Sequence, residues 1–248
     1  KNIDRTTMVS VLEESFRSVI AKMFGTDENY DVIVNPDKGD FEIWRNREVV
    51  ADEDFTNPNL QISLTEARKI DASYEVGEEV TDEVIFEKFG RRAILNLRQT
   101  LASKILELEK DSLYNKYIEK VGKVVSAEVY QIWKKEILML DDEGNELLLP
   151  KTEQIPGDFY RQGETARAVV ARVDNRNNNP KIILSRTSPM FLQRLFEMEV
   201  PEIMDGLITI KKIARIPGER AKIAVESYDE RIDPVGACVG VKGSRIHG

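Results

Sequence analysis

The sequence predicts a multidomain α+β protein, because its hydrophobic period changes twice along 248 residues. Apolar residues recur at helical spacing in the first 120 residues and at every second position over residues 121–187. After Ser188 a helix, two strands and a second short helix follow in order. Charge divides at the same place: residues 1–120 carry 17 Lys or Arg against 25 Asp or Glu, and residues 121–248 carry 19 of each.

Each element has its own signal. Leu12, Phe16, Val19, Ile20 and Met23 form one helical stripe that Gly25 ends. Tyr30, Val32 and Val34 alternate, a turn is expected at 35–40, and Phe41, Ile43 and Val49 lie on the return of a hairpin. Ser63 and Glu66 make a capping box for a short helix through Ile70. The acidic run Glu75, Glu78, Glu79, Asp82, Glu83 and Glu87 reads as a solvated linker. A long helix is predicted from about Arg91 to Ile118, with Ile94, Leu97, Leu101, Ile105 and Leu108 in phase. At about 1.5 Å per residue it would be roughly 40 Å long and would connect two bodies. Five short strands are then predicted: around Val125 to Val129, Ile137 to Leu140, Leu147 to Leu149, Ala166 to Val173 and Ile182 to Ser185. That count in a short span fits a small closed barrel of the OB type. Ser188-Pro189 opens the next helix as N-cap and first-turn proline.

Composition excludes several classes. No apolar run approaches the roughly 20 residues of a membrane span, and the polar stretch Lys1 to Thr7 predicts no signal peptide. One cysteine, Cys238, builds neither a disulfide framework nor a cysteine-rich zinc site and suits a reducing cytoplasm. The single histidine, His247, leaves no histidine triad or histidine-based metal site. The sequence holds neither a GxxxxGK[ST] phosphate loop nor a dinucleotide fingerprint. No catalytic residue, metal or cofactor is expected.

The informative motif is Gly240-Val241-Lys242-Gly243 between two helical segments, with Ser244 and Arg245 behind it. Glycines without side chains let a phosphate backbone approach. A helix opening at Ser244 would add free N–H groups and a positive dipole end, with Lys242 and Arg245 supplying charge. KH domains clamp single strands in this way. By spacing alone the motif is weak; the preceding helix, two strands and Asp233-Pro234-led helix give the order of the type II KH fold. In the barrel, Tyr130 and Trp133 beside Lys134 and Lys135 make an aromatic-plus-basic cluster of the kind OB folds use to stack bases. Core packing of Tyr130 is the plain alternative. Arg172, Arg176, Lys181 and Arg186 lie on the later strands. In the first half, Trp44 and Arg45 are candidate interface anchors, and Glu75, Glu78 and Glu79 are candidate contacts to a basic protein surface.

From Leu184-Ser185-Arg186-Thr187-Ser188-Pro189 through Glu199-Val200-Pro201-Glu202-Ile203, Ala214-Arg215-Ile216-Pro217-Gly218-Glu219-Arg220 and Asp233-Pro234-Val235-Gly236-Ala237-Cys238-Val239-Gly240, the chain resembles the NusA family of bacterial transcription factors. Ile62-Ser63-Leu64-Thr65-Glu66-Ala67-Arg68 and Phe89-Gly90-Arg91 extend the likeness upstream. Arg92-Ala93-Ile94-Leu95-Asn96-Leu97 departs from the small-residue and Gln-rich run the family has there.

The resemblance implies an RNA-polymerase-binding domain over 1–120, with its connecting helix, an OB-fold RNA-binding barrel over 121–187 and a truncated first KH domain over 188–248. It further implies a monomeric, cytoplasmic, non-enzymatic factor that modulates pausing, termination and antitermination. Its partners would be RNA polymerase, nascent single-stranded RNA and other elongation or antitermination factors. A ribosome-associated or RNA-processing RNA-binding protein is the alternative.

Overall fold

A computed structural model describes residues 4–35, 40–85 and 91–248. The chain divides into two compact units, Lys1–Glu109 and Lys110–Gly248.

The first unit is a helix-covered sheet. Helix α1 (Arg5–Phe24) starts where the Asp4 carboxylate accepts from the Thr6 amide, and it ends at Gly25 in a left-handed conformation with φ 82°. Strands β1 (Tyr30–Asn35) and β2 (Asp40–Val50) pair antiparallel. The expected turn at 35–40 falls largely outside the described residues. Strand β3 (Gln61–Ser63) runs parallel to the end of β2. Ser63 then caps α2 (Leu64–Ile70) by accepting from the Glu66 amide. Phe16, Ile20, Tyr30, Val32, Ile43 and Val84 make the main core, and Leu101 packs at its edge. Phe41 is partly buried there, its ring 4.5 Å from that of Phe16.

The acidic run corrects the expectation of a solvated linker. Glu79–Glu83 form strand β4, antiparallel to β2 on the edge opposite β1 and β3. Val80 and Val84 are buried, with Asp82 between them on the same face. That alternation puts apolar residues inward and Glu79 and Glu83 on the outer face, so the strand is held by burial and its exposed face stays charged. Carboxylates along a free edge oppose pairing with another chain.

Helix α3 (Arg91–Ile118) runs through the division between the units. The side chains of Ile94 and Leu97 lie outside the described residues, as do Phe89 and Gly90. Its last turns belong to the second unit. Tyr117 is 1% exposed and sits with Val129, Met139, Leu147, Leu149 and Leu184 in the barrel core, and Leu113 packs beside it. The compact division thus falls before the 120/121 boundary read from the sequence, because the helix end fills the barrel.

That barrel closes through β5 (Val124–Ile132), β6 (Glu136–Leu140), β7 (Glu146–Pro150), β9 (Asn179–Ser185) and β8 (Thr165–Arg176), in that order. Only β7 and β9 pair parallel. Alternate residues fill the interior, as the period of two demands. Strand β5 is bulged: Val129 faces Met139 and Gln131 faces Leu138, so Tyr130 has no cross-strand partner.

Helix α4 (Pro189–Glu199) follows, capped by Ser188 and led by Pro189. Then come α5 (Pro201–Met204), β10 (Ile208–Ile216), β11 (Arg220–Ser227) and α6 (Pro234–Val239). Val200, Ile208 and Cys238 form a small core of their own. Arg194 Nε donates to the Gly122 carbonyl at 2.7 Å, which fastens α4 to the segment that leads into β5. Among the described residues no helix is long and apolar enough to cross a membrane.

Candidate nucleic-acid interface

The loop after α6 is shaped by its glycines. Gly240 has φ 78° and ψ 169°, a region that only glycine adopts readily. A Cβ there would fall 2.8 Å from Arg245 Cγ and 2.9 Å from the Arg245 amide nitrogen, so space forbids it too. Gly243 has φ 77°, and Lys242 itself is left-handed at φ 54°. Val241 at the apex is 82% exposed, and Lys242 is exposed beside it. The Gly243 amide turns inward to the Gly240 carbonyl and the Ser244 amide to that of Val241. Among the described residues the amides of Val241 and Lys242 donate to no protein group. The loop therefore presents two free N–H donors, a cation and no side chain at its glycines.

One expectation changes here. Residues 244–247 turn on from the loop, with an α-type bond from the His247 amide to the Gly243 carbonyl. Arg245 turns inward. Its Nη1 donates to Glu202 at 2.8 Å and to the Ala237 carbonyl at 2.6 Å, so its charge braces the loop against α5 and α6. Reading Glu202 as its partner from sequence would have required knowing that α5 lies under the loop. Behind the loop an apolar groove of about 450 Å³ runs between α4, β11 and α6, lined by Leu195, Phe196, Ile223, Val225, Cys238 and Ile246.

At the barrel, β5 and β6 meet in a tight hairpin whose tip is Lys134-Lys135, closed by the Trp133 amide donating to the Glu136 carbonyl at 2.9 Å. Tyr130 and Trp133 are 45% and 46% exposed, and both lysines are exposed. Tyr130 stands out of the core because Ala127 and Val129 take the inward positions of β5 and leave 128 and 130 on the outer face. Of the later basic residues, Arg186 is engaged by Asp158, the Arg167 carbonyl and the rings of Tyr160 and Phe191. Arg172 pairs with Asp174.

A polar cluster locks the end of α3 to the β6–β7 turn. The Tyr117 hydroxyl donates to Asp141, which also accepts from Lys116 at 3.2 Å and Asn145 at 2.9 Å. Burial alone would raise the Asp141 carboxyl, but the bonds from Tyr117, Asn145 and Lys116 bring it down to about 2. Burial and the Asp141 bond push the Tyr117 phenol upward.

In the first unit, Trp44 and Arg45 face opposite sides of the sheet. Arg45 lies inward, its Nη2 2.9 Å from Asp82, with Arg47 at 3.5 Å from the same carboxylate. Its guanidinium is occupied, contrary to its expected use as an outward anchor. Trp44 is half-buried on the outer face, between Asp31 and Glu83 on the flanking strands, and its Nε1 donates to Glu42. Glu75, Glu78 and Glu79 are exposed.

The NusA N-terminal domain signature matches residues 1–111, and the NusA-like first KH domain signature matches residues 186–248, together most of the chain. The chain belongs to the NusA family. Relatives named transcription termination/antitermination protein NusA include one from Halalkalibacterium halodurans, 35% identical over 99% of this chain and 64% of its own length. Those of Thermus thermophilus and Bacillus subtilis are each 33% identical over 98% and 99% of this chain. Both are covered over 66% of their own length, so the chain spans a little under two thirds of these NusA proteins.

Proposed function

We propose that this chain is the polymerase- and RNA-contacting part of a transcription elongation factor, one that modulates pausing, termination and antitermination in the cytoplasm without catalysis of its own. The observation that carries the RNA half is the pair of unpartnered amides at Val241 and Lys242, at a loop whose glycines leave room for a phosphate. We assign the 121–187 barrel to the OB type and the helix–strand–strand–helix portion from 188 to a type II KH domain. Gly240, Val241, Lys242, Gly243 and Ser244 clamp the backbone of single-stranded RNA, with Arg245 as the brace that sets the loop. Tyr130 and Trp133 stack bases, and Lys134 and Lys135 neutralise phosphates. Residues 1–120 dock on RNA polymerase through the carboxylate-ringed Trp44 face and Glu75, Glu78 and Glu79. A basic, partly apolar surface is the complement that such a face fits.

Two weak contacts on one polymerase–transcript assembly gain affinity through effective concentration. The test is retention of the 248-residue protein on immobilised RNA polymerase, together with gel-shift titration on labelled single-stranded RNA. The reading requires both, and it requires Lys242→Asp with Gly243→Asp to weaken RNA binding by about tenfold or more while polymerase retention persists. RNA affinity unchanged in a folded double variant, or no retention on polymerase, overturns it.

A further inference from the structure

Phe159 is 92% exposed, more than any other large apolar side chain among the described residues. A single exposed phenylalanine on a loose loop would mean nothing. This one stands on a fixed stem. The Asp158 amide donates to the Ile155 carbonyl, closing a turn before it. Arg186 holds the Asp158 carboxylate at 3.4 Å. Immediately after it, Tyr160 packs against the barrel core with the Arg186 guanidinium over its ring. The other end of the loop is fixed as well: the Gly163 amide donates to the Val129 carbonyl and the Val129 amide to the Glu164 carbonyl, both at 2.8 Å. Val129 is the residue before the bulged Tyr130. Three residues lie between Phe159 and Gly163, four steps along the chain, so its backbone lies within about 14 Å of the anchor beside that bulge.

We propose that Phe159 is a further base-stacking residue, extending the single-stranded RNA path of the Tyr130–Trp133 hairpin along the neighbouring loop; this rests on the RNA-binding reading above. The surroundings favour RNA over a protein partner. Gly157, Asp158, Arg161 and Gln162 around it are polar or bare, whereas a protein contact needs contiguous apolar area. Arg161 is exposed and makes no ion pair among the described residues. The nearby carboxylates are engaged, Asp158 by Arg186 and Glu164 by the Arg161 amide. An exposed ring two residues from an exposed arginine offers stacking and charge on one loop, at low ordering cost because the backbone on either side is already anchored.

The test is fluorescence anisotropy of the 248-residue protein with labelled oligouridylates of about 4 to 12 nucleotides. Phe159→Ala should weaken binding of the longest oligomers by about tenfold and of the shortest much less, with the thermal midpoint unchanged. Phe159→Trp should restore the affinity. If Phe159→Ala binds the long oligomers as the unaltered protein does, while Tyr130→Ala with Trp133→Ala loses binding, this inference falls and the RNA-binding reading stands. If the unaltered protein binds none of them, that reading falls and takes this inference with it.

Discussion

Gly240 and Lys242 occupy similar positive φ values for opposite reasons. Gly240 leaves no space for a Cβ against Arg245, while Lys242 is a side-chain-bearing residue held in the left-handed region. Gly240→Ala should therefore cost about 2 kcal/mol or more, through forced backbone strain and loss of the Arg245–Glu202 brace, read as a lower urea midpoint. Lys242→Gly removes a left-handed strain of about 1–2 kcal/mol. Its midpoint should not fall while its RNA affinity does; a fall in both would mean that Lys242 supports the fold rather than a ligand. Asp141 makes the pH-dependent contribution. Its folded carboxyl is lowered to about 2 from an ordinary 3.8. The stability it supplies is therefore present above the unfolded value near 4 and is lost as pH falls toward 2. A tenfold change in proton affinity is worth about 1.4 kcal/mol, so the contribution is on the order of 2 kcal/mol. Urea midpoints from pH 7 to pH 2 should fall more steeply for the unaltered protein than for Asp141→Asn, and parallel curves would remove this role.

Among the elements, the end of α3 decides where the chain can be cut. A fragment from Lys110 keeps Leu113, Lys116 and Tyr117, and should unfold in one cooperative step. A fragment from Val121 loses the ring that fills the barrel and leaves Asp141 without its Tyr117 and Lys116 donors. It should be less stable by at least about 3 kcal/mol. Equal urea midpoints for the two fragments would show that the barrel closes without Tyr117. The helix itself was legible from its apolar phase, as were the five barrel strands from their period. Strand β4 was not, because Glu79, Asp82 and Glu83 dominate its composition and only Val80, with Val84 just beyond its end, marks the inward face. Its pairing with β2 is set by Ile43, Val49 and Tyr30 waiting across the sheet, which no local pattern displays.

Over the full chain, charge distribution sets how binding responds to salt. The net charge of −8 lies in the first 120 residues, and the remainder is balanced. RNA binding by a balanced module depends on local cations. Lys134→Gln with Lys135→Gln should lower the slope of log affinity against log salt by about 0.7 per lysine for a single strand. Measured over a salt series, an unchanged slope would mean that the hairpin tip carries no phosphate contact. Polymerase retention should be indifferent to the same pair of substitutions.

Local order along the chain was enough to specify all but one of the longer helices and strands, the tight glycine loop at 240–243 and the charge divide. These depend on residues within one or two turns of each other, so a period or a spacing exposes them. Which charged and aromatic groups remain available was settled only by the packing of distant segments. Arg245 is taken up by Glu202, Arg45 by Asp82 and Tyr117 by Asp141, partners 43, 37 and 24 residues away. Phe159 is left outside by a loop anchored at both ends. A guanidinium or a ring looks the same in sequence whether engaged or free, because its fate rests on what folding brings against it from elsewhere in the chain.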